Sequence, residues 1–222
     1  MKARIFRMVV IWALVFAGAF AYFYNQRSQT LDGGVIAISP DDVTAGSVVQ
    51  RPSRKIETAE SDIGGSFALI DQNGQAVTEQ NYANAYKLVF FGFTYCPAVC
   101  PTELQKVALI LDDLAEDGDV ITPIFVSVDP ERDTPEQMKQ YVEQFHPRLV
   151  GLTGSFEQIE AVKQSFRVYA TKTENEFMDE YMVDHSAFLY LMDQENKMIA
   201  LYPSTDTAEQ IAQDIKSRNL TL

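Results

Sequence analysis

The stretch FFGFTYCPAVCP, residues 90–101, decides the fold of this chain. It contains both cysteines of the sequence, Cys96 and Cys100, and a proline directly follows each of them. An apolar run from Leu88 to Phe93 leads into the stretch, and an amphipathic run starting near Leu104 leads out of it. The pattern therefore predicts a buried strand that turns into a helix at the cysteines, a junction where α/β sheets present reactive side chains to solvent.

The spacing of the two cysteines is compatible with three kinds of chemistry. If the helix has begun at Cys96, both sulfurs lie on one helix face, close enough for a disulfide, a redox dithiol or a shared metal ion. A helix N-terminus also favours the thiolate, which is the form that attacks disulfides and binds soft metals. A purely structural disulfide is disfavoured, because closing so small a ring stabilises a fold by about 2 kcal/mol, whereas tying distant segments contributes about 4 to 5 kcal/mol.

The sequence has two histidines, His146 and His185. His185 lies at the loop end of a predicted strand and could approach Cys100 in an α/β fold, although a lone histidine is more often structural than a ligand. Two thiolates and one imidazole form a three-ligand set that suits copper, with zinc as the competitor. Structural zinc sites normally have a fourth ligand, and none is evident. We interpret the nearby Met178 and Met182 as ordinary apolar side chains.

Residues 1–27 carry four basic residues and no acidic one, and residues 8–24 form an uncharged apolar run. We interpret residues 1–27 as a cytoplasmic start and a single transmembrane helix, residues 28–60 as a flexible linker and residues 61–222 as the folded domain. Because the basic residues precede the run, the domain is expected in the periplasm of a bacterium, anchored to the inner membrane. A cleaved signal peptide is the alternative, since Ala17-Gly18-Ala19 has the form of a cleavage site.

Charge and motifs exclude several classes of function. Beyond residue 27 the chain has 14 basic and 31 acidic residues, a formal charge of −17, and such a surface repels nucleic acid. The sequence contains no P-loop, dinucleotide fingerprint or nucleophile elbow. A peroxiredoxin places proline and threonine seven and three residues before its cysteine, and Val89 and Phe93 hold those positions here.

Strands alternate with helices from residue 61 onwards and predict an α/β sandwich around a mixed sheet. Helices are expected after Cys100, after the charged loop at 129–135, after a capping box at Ser155 and from Ala208. Two further expectations concern single segments: residues 151–154, Gly-Leu-Thr-Gly, break the pattern, and residues 171–180, which are polar and acidic, form an excursion on the surface.

Several motifs follow one another along the chain: Gly64-Gly65, FGFTYCPAVCPTEL, SVDPERDTP, GLTG and VDHS. In this order and spacing they resemble the Sco/SenC family of copper-binding, membrane-anchored proteins with a thioredoxin fold, over roughly residues 61–218. The resemblance implies that Cys96, Cys100 and His185 are copper ligands. It also implies a role in assembling the binuclear copper centre of cytochrome c oxidase, with the copper-centre subunit of that oxidase as the partner.

Three functions remain open from the sequence. In the first, a metallochaperone, reduced Cys96 and Cys100 take Cu(I), with Cu(II) as a second valence, His185 completes the site, and the ion moves to a partner's thiolates. In the second, a thiol-disulfide oxidoreductase, the dithiol reduces the partner's copper-binding cysteines. An upstream copper donor or a thiol reductant would be a further partner of this protein in these two functions. The third function, a redox or copper sensor, has no positive mark in the sequence.

Overall fold

The computed structural model describes residues 63–174 and 181–221. The predicted anchor, the predicted linker and Met178 lie outside these ranges. Within them, none of the helices has the length and apolar composition that crossing a bilayer requires.

Four α-helices and nine strands make up the described part of the chain. The helices are α1 (Val99–Leu114), α2 (Pro135–Val142), α3 (Phe156–Phe166) and α4 (Ala208–Ser217). The strands are β1 (Ala68–Asp71), β2 (Ala76–Thr78), β3 (Tyr86–Gly92), β4 (Ile121–Ser127), β5 (Val150–Thr153), β6 (Ala170–Thr173), β7 (Met182–His185), β8 (Phe188–Met192) and β9 (Met198–Pro203).

Seven of the strands form one mixed sheet in the order β2-β1-β5-β4-β3-β8-β9. The three strands at its centre, β3, β4 and β5, run parallel, and the strands on either side pair antiparallel. β6 and β7 pair only with each other, as a separate antiparallel ribbon in which Ala170 lies opposite His185. The mixed sheet with helices packed on it confirms the predicted α/β sandwich.

Strand β3 and helix α1 have the burial that their sequences predict. Every residue of β3 after Tyr86 is buried, as expected for a central strand covered on both faces. The buried face of α1 includes Leu104, Val107, Leu111 and Leu114, while the acidic residues near its end are exposed. The capping box that starts α3 is also present: Ser155 accepts the backbone N–H of Gln158, and the Gln158 side chain accepts that of Ser155.

One sequence-based expectation was wrong, and a second was right about surface exposure but missed a strand. Residues 151–153 belong to β5, which lies in the sheet between β1 and β4. Glycine fits in this strand because α2 packs closely on it: a Cβ at Gly151 would come within 3.1 Å of a methyl carbon of Val142. Residues 171–173 form most of β6; their polar composition reflects an exposed ribbon edge. The rest of that predicted excursion, residues 175–180, lies outside the described residues.

Candidate metal centre

The two cysteines lie on either side of the start of helix α1. The helix begins at Val99, so Cys100 is in its first turn and Cys96 is in the loop before it. The condition that both cysteines are helical is therefore not met. The physical reason is Pro97, because a residue that precedes proline disfavours helical backbone angles. Pro101 is tolerated within the first turn, where backbone N–H groups have no partner inside the helix.

The Cys96 sulfur accepts a hydrogen bond from the backbone at the N-terminus of helix α1. Sγ accepts the backbone N–H of Cys100 at 3.3 Å, a bond that satisfies one of the unpaired donors of the first turn. The Cys100 thiol, together with the backbone N–H groups of Cys100 and Ala98, stabilises the Cys96 thiolate and holds the pKa of Cys96 well below its ordinary value, although burial opposes this. Cys96 is buried, with 9% of its surface exposed, and is less deeply buried than Cys100.

Cys100 has the opposite character. Its side chain is fully buried. Its hydrogen bond to Cys96 and its burial raise the pKa of the Cys100 thiol, because a thiol can donate that bond and a buried thiolate is poorly solvated. The thiolate that the sequence predicts at the helix N-terminus is thus favoured at Cys96, chiefly by the Cys100 thiol and in part by backbone N–H groups, whereas the thiol is favoured at Cys100. Neither cysteine is part of a disulfide.

His185 is the last residue of β7 and points its imidazole at the cysteines. Nε2 lies 3.5 Å from Sγ of Cys100, and Nδ1 lies 3.1 Å from the carbonyl oxygen of Ser186. A carbonyl oxygen only accepts hydrogen bonds, so Nδ1 carries a proton, and in the neutral imidazole Nε2 keeps its lone pair for a metal ion. The rings of Phe90 and Phe93 meet the imidazole edge to face, with centroids 6.1 and 5.9 Å away. The ring is therefore fixed in the tautomer that a metal ligand needs.

The three side chains are close to a coordinating arrangement without already forming one. Within the described ranges, no three His, Cys, Asp or Glu side chains are preassembled around a metal-sized gap. Bonds of about 2.3 Å to sulfur and about 2.0 Å to nitrogen, the values for zinc, place the two atoms about 3.7 Å apart at 120°. The observed separation of 3.5 Å between Cys100 Sγ and His185 Nε2 requires a shift of about 0.2 Å. This pair of donors therefore fits a soft metal ion after a small adjustment.

The other sulfur and imidazole candidates have ordinary roles. His146 accepts the backbone N–H of Arg148 at 3.1 Å and so stabilises its own turn. Met182 lies three residues before His185 in β7, and alternation along a strand places the two side chains on opposite faces. This agrees with the interpretation of Met182 as an apolar side chain.

A buried carboxylate that the sequence reasoning missed fixes the cysteine loop. Asp133 is fully buried and accepts hydrogen bonds from the hydroxyl of Thr94 at 2.7 Å, the backbone N–H of Thr94 at 3.2 Å and the hydroxyl of Ser127 at 2.6 Å. Burial raises the pKa of Asp133, an effect that these hydrogen bonds partly offset. A signal was available in the sequence: the acidic loop follows β4, the parallel neighbour of the strand that leads to Cys96, so both loops lie at one sheet edge.

Fold and site together define a thioredoxin-like protein with a dithiol and a histidine at the start of its first long helix. The SCO1/SenC family model matches residues 55–219, so the chain belongs to that family.

Known relatives agree with this assignment. The chain is 38% identical over 218 residues to Protein sco1 of Schizosaccharomyces pombe, covering 97% of this chain and 77% of that protein. The structure is similar to that of Arabidopsis thaliana ScoI with copper bound, at 44% identity and a TM-score of 0.67, covering 70% of this chain and 98% of that one. It is also similar to BsSco, a member of the Sco family of cytochrome c oxidase assembly proteins with a disulfide switch, at 26% identity, a TM-score of 0.55 and coverage of 69% and 91%. These likenesses confirm the predicted thioredoxin-like fold with a mixed central sheet.

Proposed function

We propose that this chain is a copper metallochaperone in which Cys96, Cys100 and His185 bind the ion. The observation that carries the proposal is the contact between His185 Nε2 and Cys100 Sγ at 3.5 Å, with the other ring nitrogen held by a backbone carbonyl. Two thiolates and an imidazole suit copper, and relatives such as Arabidopsis thaliana ScoI have been solved with copper bound.

The geometry gives each ligand a distinct part in taking up the cargo. Cys96 is ionised and is the less deeply buried of the two cysteines, so it meets an incoming Cu(I) ion first. Cys100 is buried and protonated, and it releases its proton when its sulfur joins the ion. His185 contributes a lone pair and no charge. A site with three ligands leaves the ion open to attack by a partner's thiolate, so copper leaves by ligand exchange.

The partner that we propose is the copper-centre subunit of cytochrome c oxidase, with an upstream copper donor or thiol reductant acting before it. This proposal rests on family membership, since the relative BsSco belongs to a group of cytochrome c oxidase assembly proteins.

We also propose that residues 8–24 anchor the domain to a bacterial inner membrane, facing the periplasm. Retention in the membrane pellet after alkaline washing tests the anchor; release into the soluble fraction would contradict it.

A second function, reduction of a partner's disulfide, is favoured by the pairing of a thiolate at Cys96 with a more deeply buried thiol at Cys100. The Cys96 thiolate would attack one sulfur of the partner's disulfide, form a mixed disulfide and release the other sulfur as a thiolate. Cys100 would then lose its proton and attack Cys96, which frees the partner's second thiolate. The products are a Cys96–Cys100 disulfide and a reduced partner. The two functions are compatible, because a partner must be reduced before copper loading.

The His185→Ala variant separates the two functions. Copper affinity of the reduced protein, measured by competition with a chromogenic Cu(I) chelator, should fall at least about tenfold on loss of one ligand. Dithiol exchange with a model disulfide should persist. His146→Ala is the matched control and should change neither quantity. Wild-type copper affinity in His185→Ala would overturn the three-ligand site.

A further inference from the structure

Arg132 joins three segments of the chain beside the candidate site. Its Nε donates to Asp129 Oδ2 at 2.6 Å within the loop after β4, and another guanidinium nitrogen donates to the carbonyl oxygen of Tyr181 at 3.1 Å. The guanidinium also stacks on two rings, with centroids 3.8 Å away for Tyr181 and 4.8 Å away for Tyr95. Tyr95 directly precedes Cys96, and Tyr181 directly precedes β7, which ends at His185.

Tyr181 is held through its backbone carbonyl and through its side-chain hydroxyl. Its hydroxyl donates to Asp129 Oδ1 at 2.7 Å, so the Asp129 carboxylate binds Tyr181 with one oxygen and Arg132 with the other. Asp129 is fully buried and the Arg132 side chain is 15% exposed, so the pair is shielded from solvent and from salt. We call Arg132, Asp129, Tyr181 and Tyr95 the arginine clamp.

The ribbon that carries His185 needs such an attachment. β6 and β7 share no strand pairing with the seven-stranded sheet, and a lone two-stranded ribbon is only marginally stable in water. Val183 supplies one buried contact. A second tether, the ion pair between Lys172 and Glu131 at 2.5 Å, is largely exposed and contributes little.

From these contacts we propose that Arg132 is a positioning residue: it holds the β6–β7 ribbon against the cysteine loop and so keeps His185 within reach of the sulfurs. The copper part of this inference rests on the proposed ligand role of His185. Lysine could not replace Arg132, because an ammonium group lacks the planar fork that binds Asp129 and Tyr181 while stacking on two rings.

The test compares Arg132→Gln with Arg218→Gln as a matched control. Arg218 is also partly buried and pairs with an aspartate, Asp214, at 2.8 Å. It lies just after α4, whose Lys216 reaches Asp113 at the far end of α1 from the cysteines. Tyr181→Phe is a milder second variant that removes only the hydroxyl, which donates to Asp129 at 2.7 Å and lies 3.4 Å from the exposed Glu131 carboxylate.

The first measurement is amide hydrogen exchange of the reduced, metal-free protein. Arg132→Gln should speed exchange of the ribbon amides by about tenfold or more while β3 stays protected, because a hydrogen-bonded, charged group has been removed from the ribbon's attachment. Tyr181→Phe should produce a smaller change in the same direction, and Arg218→Gln should leave the ribbon unchanged. If the ribbon amides of Arg132→Gln exchange at the wild-type rate, the positioning role of Arg132 is overturned, whatever the copper affinity of the variant.

The second measurement is a double-mutant cycle in copper affinity. If Arg132 acts through His185, then Arg132→Gln lowers the affinity, and adding it to His185→Ala causes no further loss. Losses that multiply would show that Arg132 acts on the sulfurs, which overturns the inference. Unchanged affinity in His185→Ala alone would instead overturn the proposed ligand set, so the two failures are distinguishable.

Discussion

Gly92, the last residue of β3, tests whether the position of the Cys100 sulfur governs copper binding. A Cβ atom added at Gly92 would lie 2.7 Å from Cys100 Sγ, 2.9 Å from a ring carbon of Phe125 and 3.2 Å from a ring carbon of Phe90. All three neighbours are buried, so none of them can swing out into solvent. Gly92→Ala therefore pushes on the sulfur without removing any ligand.

The size of the effect follows from these distances. Non-bonded heavy atoms settle at about 3.5 Å or more, so the sulfur must retreat by about 0.8 Å from a Cβ at 2.7 Å. Metal sites tolerate displacements of about 0.2 Å. Overpacking of this kind costs about 1 to 3 kcal/mol. In the metal-free variant, Cys100 moves away from the added methyl group and the strain is relieved. Copper binding draws the sulfur back and restores the strain, so the copper affinity should fall by about 5- to 150-fold.

The assay is competition for Cu(I) by the reduced protein, with unfolding by urea measured in parallel. Gly151→Ala is the matched control, since its Cβ would crowd Val142 at 3.1 Å and Met138 at 3.3 Å in the core. The control should lose stability and keep its copper affinity. Wild-type affinity in Gly92→Ala, together with a loss of stability like that of Gly151→Ala, would refute the reasoning.

Three further predictions concern the sulfurs and the carboxylate that supports their loop. Because the pKa of Cys96 is lowered, its thiolate persists as the pH falls, and iodoacetamide should label Cys96 at nearly the same rate at pH 8 and pH 6. Labelling of an ordinary thiol slows about tenfold per pH unit. Labelling of Cys100 before Cys96, detected by mass spectrometry, would contradict this. Copper binding at pH 8, where an ordinary imidazole is neutral, should release about one proton per ion, namely that of Cys100. Calorimetry in buffers of different ionisation enthalpy measures this number, and a release of two protons would contradict the assignment. Asp133→Ala leaves the donors of Thr94 and Ser127 unpaired and should lower the free energy of unfolding by about 2 to 4 kcal/mol in urea titration; a loss below about 1 kcal/mol would contradict the supporting role.

Local patterns allowed much of the fold to be predicted. Strand β3 is a continuous apolar run, α1 has a clear buried stripe, and Ser155 with Gln158 forms a capping box, so each element is encoded within its own residues. Strand β5 is different, because its Gly-Leu-Thr sequence is short and flanked by Gly154. Its conformation comes from pairing with β1 and β4 and from packing under α2, which no local pattern records.

The candidate ligands could be predicted from the sequence, whereas the contacts that support them could not. The cysteine spacing and the family resemblance predict Cys96, Cys100 and His185 as ligands, and the structure brings Cys100 and His185 into contact. The contacts of Asp133 with Thr94 and of Arg132 with Tyr181 join residues 39 and 49 positions apart, so they depend on the completed fold. The division of the two cysteines into a thiolate at Cys96 and a more deeply buried thiol at Cys100 likewise depends on where helix α1 begins.

X-ray absorption of the reduced protein loaded with one equivalent of Cu(I) tests the central claim most directly. The account predicts copper bound to two sulfurs and one imidazole nitrogen. The nitrogen contribution should vanish in His185→Ala and remain in His146→Ala. A wild-type spectrum without the imidazole, or one that is unchanged in His185→Ala, would contradict the account.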